Sequence, residues 1–371
     1  MHPTAPTASA ASTISFAASA LRALRRPLGA IAVAAVAACG SAPPSGASPG
    51  SAAGGAVAPV AAGPVGASAP PIRIGIALGG GAAKGFAHIG AIKMLEANGF
   101  APAVVAGTSA GSVVGALYAS GMNAFELQEK AVALDEAKIR DLQLSSGGLV
   151  LGQKLEDYVN EQVRRQPLER LAKPFVAVAT RLEDGERTVF SRGNTGQAVR
   201  ASSSVPGVFQ PVAIGKHHFV DGGVVSPVPV DAARQLGADI VVAVDISSKA
   251  RGQAPTGMLG TLGQSIAIMG QKLGQAELAR ADVVIRPQVL DIGPADFAQR
   301  ASAILEGEKA ALAAMPRIRE RVAQLQAERE QATRLAQRKA AEAQRQACLD
   351  QRSRLQKLAG MAGLDGACPA P

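Results

Sequence analysis

The sequence contains no tryptophan and few other aromatic residues, with nine Phe and two Tyr among 371 residues. Its three cysteines and four histidines form neither a Cys-x-x-Cys pair nor a His-Glu-x-x-His motif. Cysteine and histidine at such spacings are the usual ligands of structural and catalytic zinc. The pattern therefore predicts no metal centre, and no loop with the spacing of calcium ligands is present either.

Positive charge is concentrated at the two ends of the chain. Residues 1–71 carry three Arg and no acid, residues 72–315 carry 24 basic and 23 acidic residues, and residues 316–371 carry 11 basic and six acidic residues. A nucleic-acid-binding protein normally carries its basic residues on its folded domain. The nearly neutral middle and the shortage of aromatics therefore argue against a nucleic-acid partner.

Residues 1–38 have the features of an export signal. Three arginines precede an uncharged apolar run over residues 27–38, which is too short for a resident membrane helix but fits a secretory signal. The small residues before Cys39 resemble a bacterial lipobox, in which the cysteine is lipidated and begins the mature protein. The alternatives are an ordinary signal peptide with an incidental cysteine and twin-arginine export, whose flanking residues match poorly.

Residues 39–71 predict a flexible tether behind the lipidated cysteine. They consist almost entirely of Ser, Ala, Gly, Pro and Val and carry no charge. Such a segment cannot bury enough apolar surface to fold. Gly40 stands where an Asp would indicate retention at the inner membrane. We therefore expect a lipid-anchored envelope protein at the bacterial outer membrane, facing the periplasm.

Residues 316–371 predict a basic helical extension. From its second residue up to Leu358 this segment has no proline and is rich in Ala, Gln, Arg, Glu and Leu. Ile318, Val322 and Leu325 share a helical face, but no sustained heptad follows, so a solvated helix lying on the domain is favoured over a coiled coil. The excess of Arg leaves contact with anionic lipid as an alternative.

The two cysteines in this extension could form a disulfide. Once Cys39 is acylated, Cys348 and Cys368 remain as an even number of thiols in an oxidising compartment. A disulfide between them is therefore possible in the exported protein.

Residues 72–315 alternate short apolar runs with helical patterns. Strands are predicted at 72–78, 104–106, 175–179, 187–190, 217–220, 240–244 and 283–285, and helices at 86–98, 110–120, 124–137, 154–164 and 232–236. The third and fourth strands, joined through Glu183-Asp184-Gly185, have the pattern of a hairpin. Apolar strands that alternate with helices indicate an α/β fold whose mostly parallel sheet is covered on both faces.

A glycine-rich loop follows the first predicted strand. Consecutive glycines let a ligand approach the backbone and leave several N–H groups pointing one way, and the following helix adds positive potential. We expect an anion to bind there, and the alternative is a tight strand-to-helix turn without a ligand. Neither a dinucleotide-binding fingerprint nor a P-loop fits the spacing. The loop consists of Gly79, Gly80, Gly81, Ala82, Ala83, Lys84 and Gly85.

A second motif, Gly-x-Ser-x-Gly, lies at Gly107, Ser109 and Gly111. An apolar strand precedes it and a helical segment follows it, which is the context of a nucleophile elbow. In such an elbow the glycines relieve crowding in a sharp turn, and the serine hydroxyl stands at a helix N-terminus. The pattern favours Ser109 as a nucleophile over a plain helix cap.

The base that would activate this serine is not an obvious histidine. A Ser-Asp-His triad would need an acid and then a histidine, both later in the chain than the serine. The last histidine is His218, and the sequence has no well-placed pair of this kind. His88 lies in a predicted helix and His217 in a predicted strand, so a structural or surface role is favoured for all three. Asp221, an acid at a strand end followed by two glycines, remains as a carboxylate base.

These three motifs, in this order and at these intervals, resemble the patatin-like phospholipase family. The resemblance runs from about residue 72 to residue 287 and includes residues 200–211, which are similar to a family segment upstream of the aspartate. It implies a three-layer α/β/α patatin-like fold with a mostly parallel central sheet. It also implies a Ser–Asp dyad of Ser109 and Asp221 and no cofactor.

The same resemblance assigns roles to the glycines. It implies an oxyanion hole formed by the N–H groups of Gly79, Gly80 and Gly81. Lys84 is interpreted as structural or as reinforcing the field of the loop, rather than as a proton carrier. The other residues that support the motifs are Gly85, Gly107, Gly111, Gly222 and Gly223.

The resemblance predicts a serine acyl hydrolase that cleaves ester bonds of phospholipids or related lipids. One alternative is a carboxylesterase or thioesterase that acts on small soluble acyl substrates through the same dyad. Another is a non-catalytic envelope lipoprotein that keeps the fold for binding. The expected partners are an acyl-ester substrate and, through the lipid anchor, a membrane. No protein partner can be inferred from the sequence.

Overall fold

The computed structural model describes residues 71–139, 141–145, 148–248, 257–359 and 368. The predicted signal peptide, Cys39 and all of the predicted tether except residue 71 lie outside these residues.

The described residues form a large sheet and a small hairpin, with helices between the strands. The strands are β1 (Ile74–Leu78), β2 (Val104–Thr108), β3 (Leu142–Ser145), β4 (Gly148–Val150), β5 (Phe175–Arg181), β6 (Arg187–Phe190), β7 (Val212–Ile214), β8 (His217–Asp221), β9 (Ile240–Val244) and β10 (Val283–Ile285). The helices are α1 (Phe86–Ala97), α2 (Ala110–Ala119), α3 (Ala124–Val132), α4 (Gln153–Gln162), α5 (Thr195–Ser202), α6 (Val230–Gln235), α7 (Met258–Leu278) and α8 (Arg300–Ala359).

The large sheet is mostly parallel, as predicted. Its order is β10-β9-β1-β2-β5-β8-β7, and every neighbouring pair from β10 to β5 is parallel. Strand β5 is antiparallel to both β6 and β8, and β7 is antiparallel to β8. Strands β3 and β4 form a separate antiparallel pair. The β5–β6 hairpin predicted from the sequence is confirmed.

The sheet is covered on both faces, which confirms the three-layer α/β/α prediction. Successive side chains of a strand point to opposite faces. In β9, Val242 and Val244 belong to a large apolar cluster that includes residues of α1, α2 and α8. Val241 and Ala243 belong to a second cluster with residues of α6 and the end of α7. The sequence of each central strand is continuously apolar because both faces of the strand are buried.

Three helices differ from the sequence prediction. Helix α3 ends at Val132 instead of continuing to residue 137, while α5 and α7 were not predicted. Helix α5 is only eight residues long and begins at an Asn194 cap whose side chain accepts from Gln197 N–H. Helix α7 contains several glycines, which lower helix propensity. Its tertiary contacts therefore outweigh its weak local preference.

Helix α8 corrects the predicted boundary between domain and extension. The helix begins at Arg300 and runs through Pro316 without interruption, so a division at residue 316 falls inside it. Its first part is core, because Ile304, Met315 and Ile318 are buried in the large cluster. Further along, Arg321 donates to Asp282 at 3.0 Å, so the second part begins on the domain surface.

Toward its end, α8 is solvated, as expected for a helix without a sustained apolar stripe. Leu335, Leu349 and Leu355 are all more than 40% exposed. The structure joins Cys348 of this helix to Cys368 in a disulfide, with the two Cα atoms 6.0 Å apart. None of the helices in the described part of the chain combines the length and apolar composition needed to cross a bilayer.

The crossing of α1 and α8 depends on two glycines and gives a test of this packing. A Cβ added at Gly90 would collide with the backbone of α8 at Ile304, and one at Gly307 with the backbone of α1 at Ala87. Gly90→Ala should therefore lower the free energy of unfolding by about 1–3 kcal/mol, the usual cost of overpacking. Urea unfolding measures the change.

Gly263→Ala is the matched control for this substitution. Gly263 lies in helix α7, and a Cβ added there meets no atom within 4 Å. Its replacement should leave stability unchanged or raise it by up to about 1 kcal/mol, because Ala favours helix. Equal stabilities of the two variants would contradict the close crossing of α1 and α8.

Candidate active site

Ser109 occupies a sharp turn between β2 and α2. Its backbone lies at φ 54° and ψ −125°, a conformation that a non-glycine residue adopts only under strain. The glycines on either side permit the turn. A Cβ at Gly107 would lie 2.5 Å from the carbonyl oxygen of Gly111, and a Cβ at Gly111 would collide with the backbone of Leu78. The motif therefore has the local geometry predicted for a nucleophile elbow.

Ser202, at the end of α5, is hydrogen-bonded to the backbone of this turn. Its hydroxyl oxygen accepts from Ser109 N–H at 3.0 Å, and the hydroxyl donates to the carbonyl of Val178 in β5 at 2.6 Å. The N–H group of Ser109 is thus not free to stabilise an oxyanion. Sequence reasoning assigned Ser202 no role, although it lies in the segment 200–211 that contributes to the family resemblance.

Asp221 lies at the end of β8 and is buried beside Ser109. Oδ1 accepts from Gly223 N–H at 2.7 Å, while Oδ2 has no partner of ordinary hydrogen-bond geometry. Burial raises the pKa of the carboxyl from 3.8 to about 6, against the opposing effects of the Ser109 hydroxyl and Gly223 N–H. The carboxyl is therefore available as a base from slightly above that pH.

The two glycines after Asp221 are required by close packing. A Cβ at Gly222 would collide with the carbonyl oxygen of Val178 and lie 3.1 Å from the Thr108 side chain. A Cβ at Gly223 would lie 3.0 Å from Oδ1 of Asp221. Glycine at 222 lets the turn after β8 approach Val178 of β5 and Thr108 of β2, and glycine at 223 leaves room for the Asp221 carboxyl group.

The histidines do not complete a triad in the part of the chain that the structure describes. His88 is fully buried, and its Nε2 donates to the carbonyl of Gly79 at 2.8 Å. Burial lowers the pKa of His88 to about 4, so its ring is neutral at physiological pH. His218 is exposed and bonds to Glu183 through Nδ1 at 3.1 Å, with His217 beside the same carboxylate.

The glycine loop approaches Ser109, but its hydrogen bonds correct the predicted oxyanion hole. A Cβ at Gly80 would lie 3.1 Å from Cβ of Ser109. Gly79 N–H already donates to the carbonyl of Val244 at 3.1 Å, and Gly80 N–H to that of Pro227 at 3.0 Å. Of the three predicted donors, only Gly81 N–H has no backbone acceptor among the described residues.

Lys84 connects the glycine loop to a neighbouring segment. Its side chain is 3% exposed, and Nζ donates to the hydroxyl of Ser248 at 2.5 Å. The ammonium therefore ties the glycine loop to the segment after β9. Among the residues that the structure covers, no group of three or more His, Cys, Asp or Glu side chains is arranged to hold a metal ion.

Comparison with known proteins points to one family. Residues 76–234 match the family model described as Patatin-like phospholipase. An NTE family protein of Mycobacterium tuberculosis is 35% identical over 191 residues, which cover 51% of this chain and 52% of that protein. The chain thus spans about half the length of this relative.

Two further matches involve one curated protein and one solved structure. Lysophospholipase NTE1 of Pyricularia oryzae is 32% identical over 181 residues, which cover 47% of this chain and 12% of that protein. The crystal structure of VipD from Legionella pneumophila is 16% identical with a TM-score of 0.45 and covers 66% of this chain and 67% of that chain.

The buried carboxyl should make stability depend on pH in a defined direction. The unfolded chain loses the Asp221 proton near pH 3.8 and the folded chain near pH 6, so ionisation opposes folding as pH rises between these values. Above pH 6 the cost is about 3 kcal/mol. Asp221→Asn should therefore be more stable than the wild type above pH 6, with the difference shrinking toward pH 4.

Thermal or urea unfolding of the two proteins between pH 4 and pH 8 measures this difference. Titration of all other groups is common to both proteins and cancels. A difference that does not change with pH would show that the pKa of Asp221 is not raised in the folded state.

Proposed function

We propose that the chain is a serine acyl hydrolase that cleaves ester bonds of lipids, since residues 76–234 match the model of the patatin-like phospholipase family. One observation carries this proposal. A strained serine at a strand-to-helix turn lies beside a buried carboxyl group, and no histidine of the described residues reaches either of them. Such a pair suits nucleophilic attack with a carboxylate as general base.

The reaction we propose has two steps. Oδ2 of Asp221, which accepts no hydrogen bond of ordinary geometry, takes the proton of the Ser109 hydroxyl as Oγ attacks the ester carbonyl. The carboxylic acid then returns this proton to the leaving alcohol, and the acyl group stays on Ser109. In the second step water gives a proton to Asp221 and attacks the acyl-enzyme. Asp221 then returns this proton to Oγ of Ser109 as the fatty acid leaves, which restores both the serine and the carboxylate.

The tetrahedral oxyanion needs donors that are not already engaged. Gly81 N–H is one candidate, since the N–H groups of Gly79 and Gly80 donate to backbone carbonyls. The N–H groups of Ala110 and Gly111 at the start of α2 are others, because those of Ser112 and Val113 already donate to the Ser109 carbonyl. A donor of this kind typically contributes about 10²–10³ in rate.

A lipid ester is favoured over a small soluble ester by helix α7. This helix passes the turn after Asp221, where a Cβ at Gly270 would lie 3.8 Å from the carbonyl oxygen of Gly223. On one flank it carries Leu262, Met269 and Leu273, which are 42%, 53% and 39% exposed. Apolar side chains exposed next to a candidate active site suit an acyl chain or a lipid surface.

Envelope anchoring through Cys39 is proposed from the sequence alone. The run of small residues before this cysteine and the uncharged stretch after it support a lipidated, tethered protein at the outer membrane. Fractionation of cells that express Cys39→Ser tests the proposal, and membrane retention equal to that of the wild type would contradict it.

The dyad predicts a sharp ranking of variants. Ser109→Ala should abolish labelling by a fluorophosphonate and all ester hydrolysis. Asp221→Asn should lower kcat/KM by several orders of magnitude, because an amide cannot accept the serine proton. In the wild type, kcat/KM should rise with pH through an apparent pKa of about 6, as Asp221 ionises.

The control for this ranking is His218→Ala, which removes an exposed histidine three residues before the proposed base. It should retain activity close to that of the wild type. A folded His218→Ala protein as inactive as Asp221→Asn would replace the dyad by a triad. A wild-type protein that neither labels nor hydrolyses any acyl ester would leave the non-catalytic envelope lipoprotein as the better description.

A substitution among the exposed apolar side chains of α7 tests whether the substrate is a lipid or a small soluble ester. Met269→Lys should lower hydrolysis of phosphatidylcholine vesicles about tenfold, the loss expected when a partly inserted apolar side chain becomes charged. The same variant should leave hydrolysis of p-nitrophenyl butyrate unchanged. Leu335→Lys, at an equally exposed position on α8, is the matched control and should change neither rate. Equal losses on both substrates would favour the soluble carboxylesterase or thioesterase alternative.

A further inference from the structure

Helix α7 carries a buried carboxyl group that the proposed reaction does not use. Glu277 is 5% exposed, and burial raises its pKa. Its Oε1 accepts from the hydroxyl of Ser226 at 2.5 Å, and its Oε2 accepts from Val228 N–H at 2.8 Å. A buried carboxyl is costly unless its hydrogen bonds are satisfied. Both oxygens of Glu277 are used on one short segment, residues 226–228.

This segment meets all three parts of the candidate site. The carbonyl of Ser226 accepts from the Thr108 hydroxyl at 2.8 Å, directly before Ser109 in the chain. The carbonyl of Pro227 accepts from Gly80 N–H at 3.0 Å. Ser226 N–H donates to the carbonyl of Gly222 at 2.8 Å, directly after Asp221. The nucleophile strand, the glycine loop and the turn behind the base are therefore bonded to the same few backbone atoms.

Glu277 holds this segment through both of its carboxylate oxygens. The neighbouring residues of α7 also lie against it, since a Cβ at Gly274 would contact the Pro227 ring at 3.4 Å. We infer that Glu277 is a positioning residue that fixes the distance between the glycine loop and the nucleophile elbow through residues 226–228. This inference rests on the proposed function for its kinetic consequence, but its structural consequence holds independently.

Loss of the carboxylate should misplace the reacting groups rather than weaken substrate binding. Without Glu277 the Ser226 hydroxyl and Val228 N–H lose their partners, and the acceptor of Gly80 N–H is no longer held. A displacement of about 1 Å among reacting groups can reduce the rate about 10²-fold. Glu277→Ala should therefore lower kcat on p-nitrophenyl butyrate about a hundredfold, with KM changed less than about threefold.

Glu277→Gln distinguishes positioning from proton transfer. A glutamine can accept from Val228 N–H through its carbonyl and donate to the Ser226 oxygen through its amide. It should therefore restore kcat to within about fivefold of the wild type. A glutamine variant as slow as Glu277→Ala, with an undisturbed glycine loop, would make Glu277 an acid-base group and overturn the inference.

Asp282→Ala provides the matched structural control. Asp282 is also a largely buried carboxyl with several donors, including Val241 N–H at 2.8 Å and Arg321 at 3.0 Å. It meets β9 near the strand's first residues, whereas Ser109 and the glycine loop follow the carboxyl ends of β2 and β1. Its loss should destabilise the protein without changing kcat.

Hydrogen exchange gives a readout that needs no activity. In Glu277→Ala the amides of residues 79–81 and 107–109 should exchange at least tenfold faster than in the wild type, and in Asp282→Ala they should not. Ser226→Ala, which removes one of the two bonds, should show the same acceleration to a smaller degree. Unchanged exchange in both Glu277→Ala and Ser226→Ala would overturn the inference.

The two readouts separate this inference from the proposed function. Wild-type protein without hydrolysis or fluorophosphonate labelling would contradict the proposed function, while the exchange experiment would still decide the positioning role. An active wild type with wild-type kcat in Glu277→Ala would contradict the positioning role alone.

Discussion

Burial of the Asp221 carboxyl group beside a strained serine is the constraint on which the site depends. A carboxylate removed from water is costly, and the structure offsets only part of this cost through Gly223 N–H and the Ser109 hydroxyl. Oδ2 accepts no hydrogen bond of ordinary geometry. A buried carboxylate with one oxygen unbonded is better suited to act as a base than a fully hydrogen-bonded one. Hydrogen bonds to the charged form lower its pKa, and a carboxylate with a low pKa binds protons too weakly to act as a base near neutral pH.

The surrounding fold keeps this arrangement in place by contacts of high sequence separation. The N–H group of Ser109 is held by Ser202 of α5, and the β8 end is held through Thr180, whose hydroxyl donates to the carbonyl of Asp221 at 2.9 Å. The glycine loop is held by His88 and Lys84. Strain at one turn can persist because several elements fix it at once.

The glycine motifs could be predicted because their requirement is local. Gly107 and Gly111 permit a sharp turn, and the apolar runs of β1, β2 and β9 identify buried parallel strands from their composition alone. The C-terminal boundary could not be placed in this way. The segment before residue 316 resembles part of the domain and the segment after it resembles an extension. One helix contains both, because Met315 and Ile318, on either side of residue 316, are buried in the same apolar cluster.

The sequence by itself determined the α/β class, seven of the described strands, the turn at Ser109 and the acid at the end of β8, since each depends on neighbouring residues, whereas the short strands β3, β4 and β7 were not predicted. Only the tertiary structure decided which N–H groups of the glycine loop are engaged, because their acceptors, Val244 and Pro227, are more than 100 residues away in the chain. The same reason hid Ser202 and Glu277. Their polar side chains look ordinary in sequence and acquire a role only where the fold brings them to the backbone around Ser109.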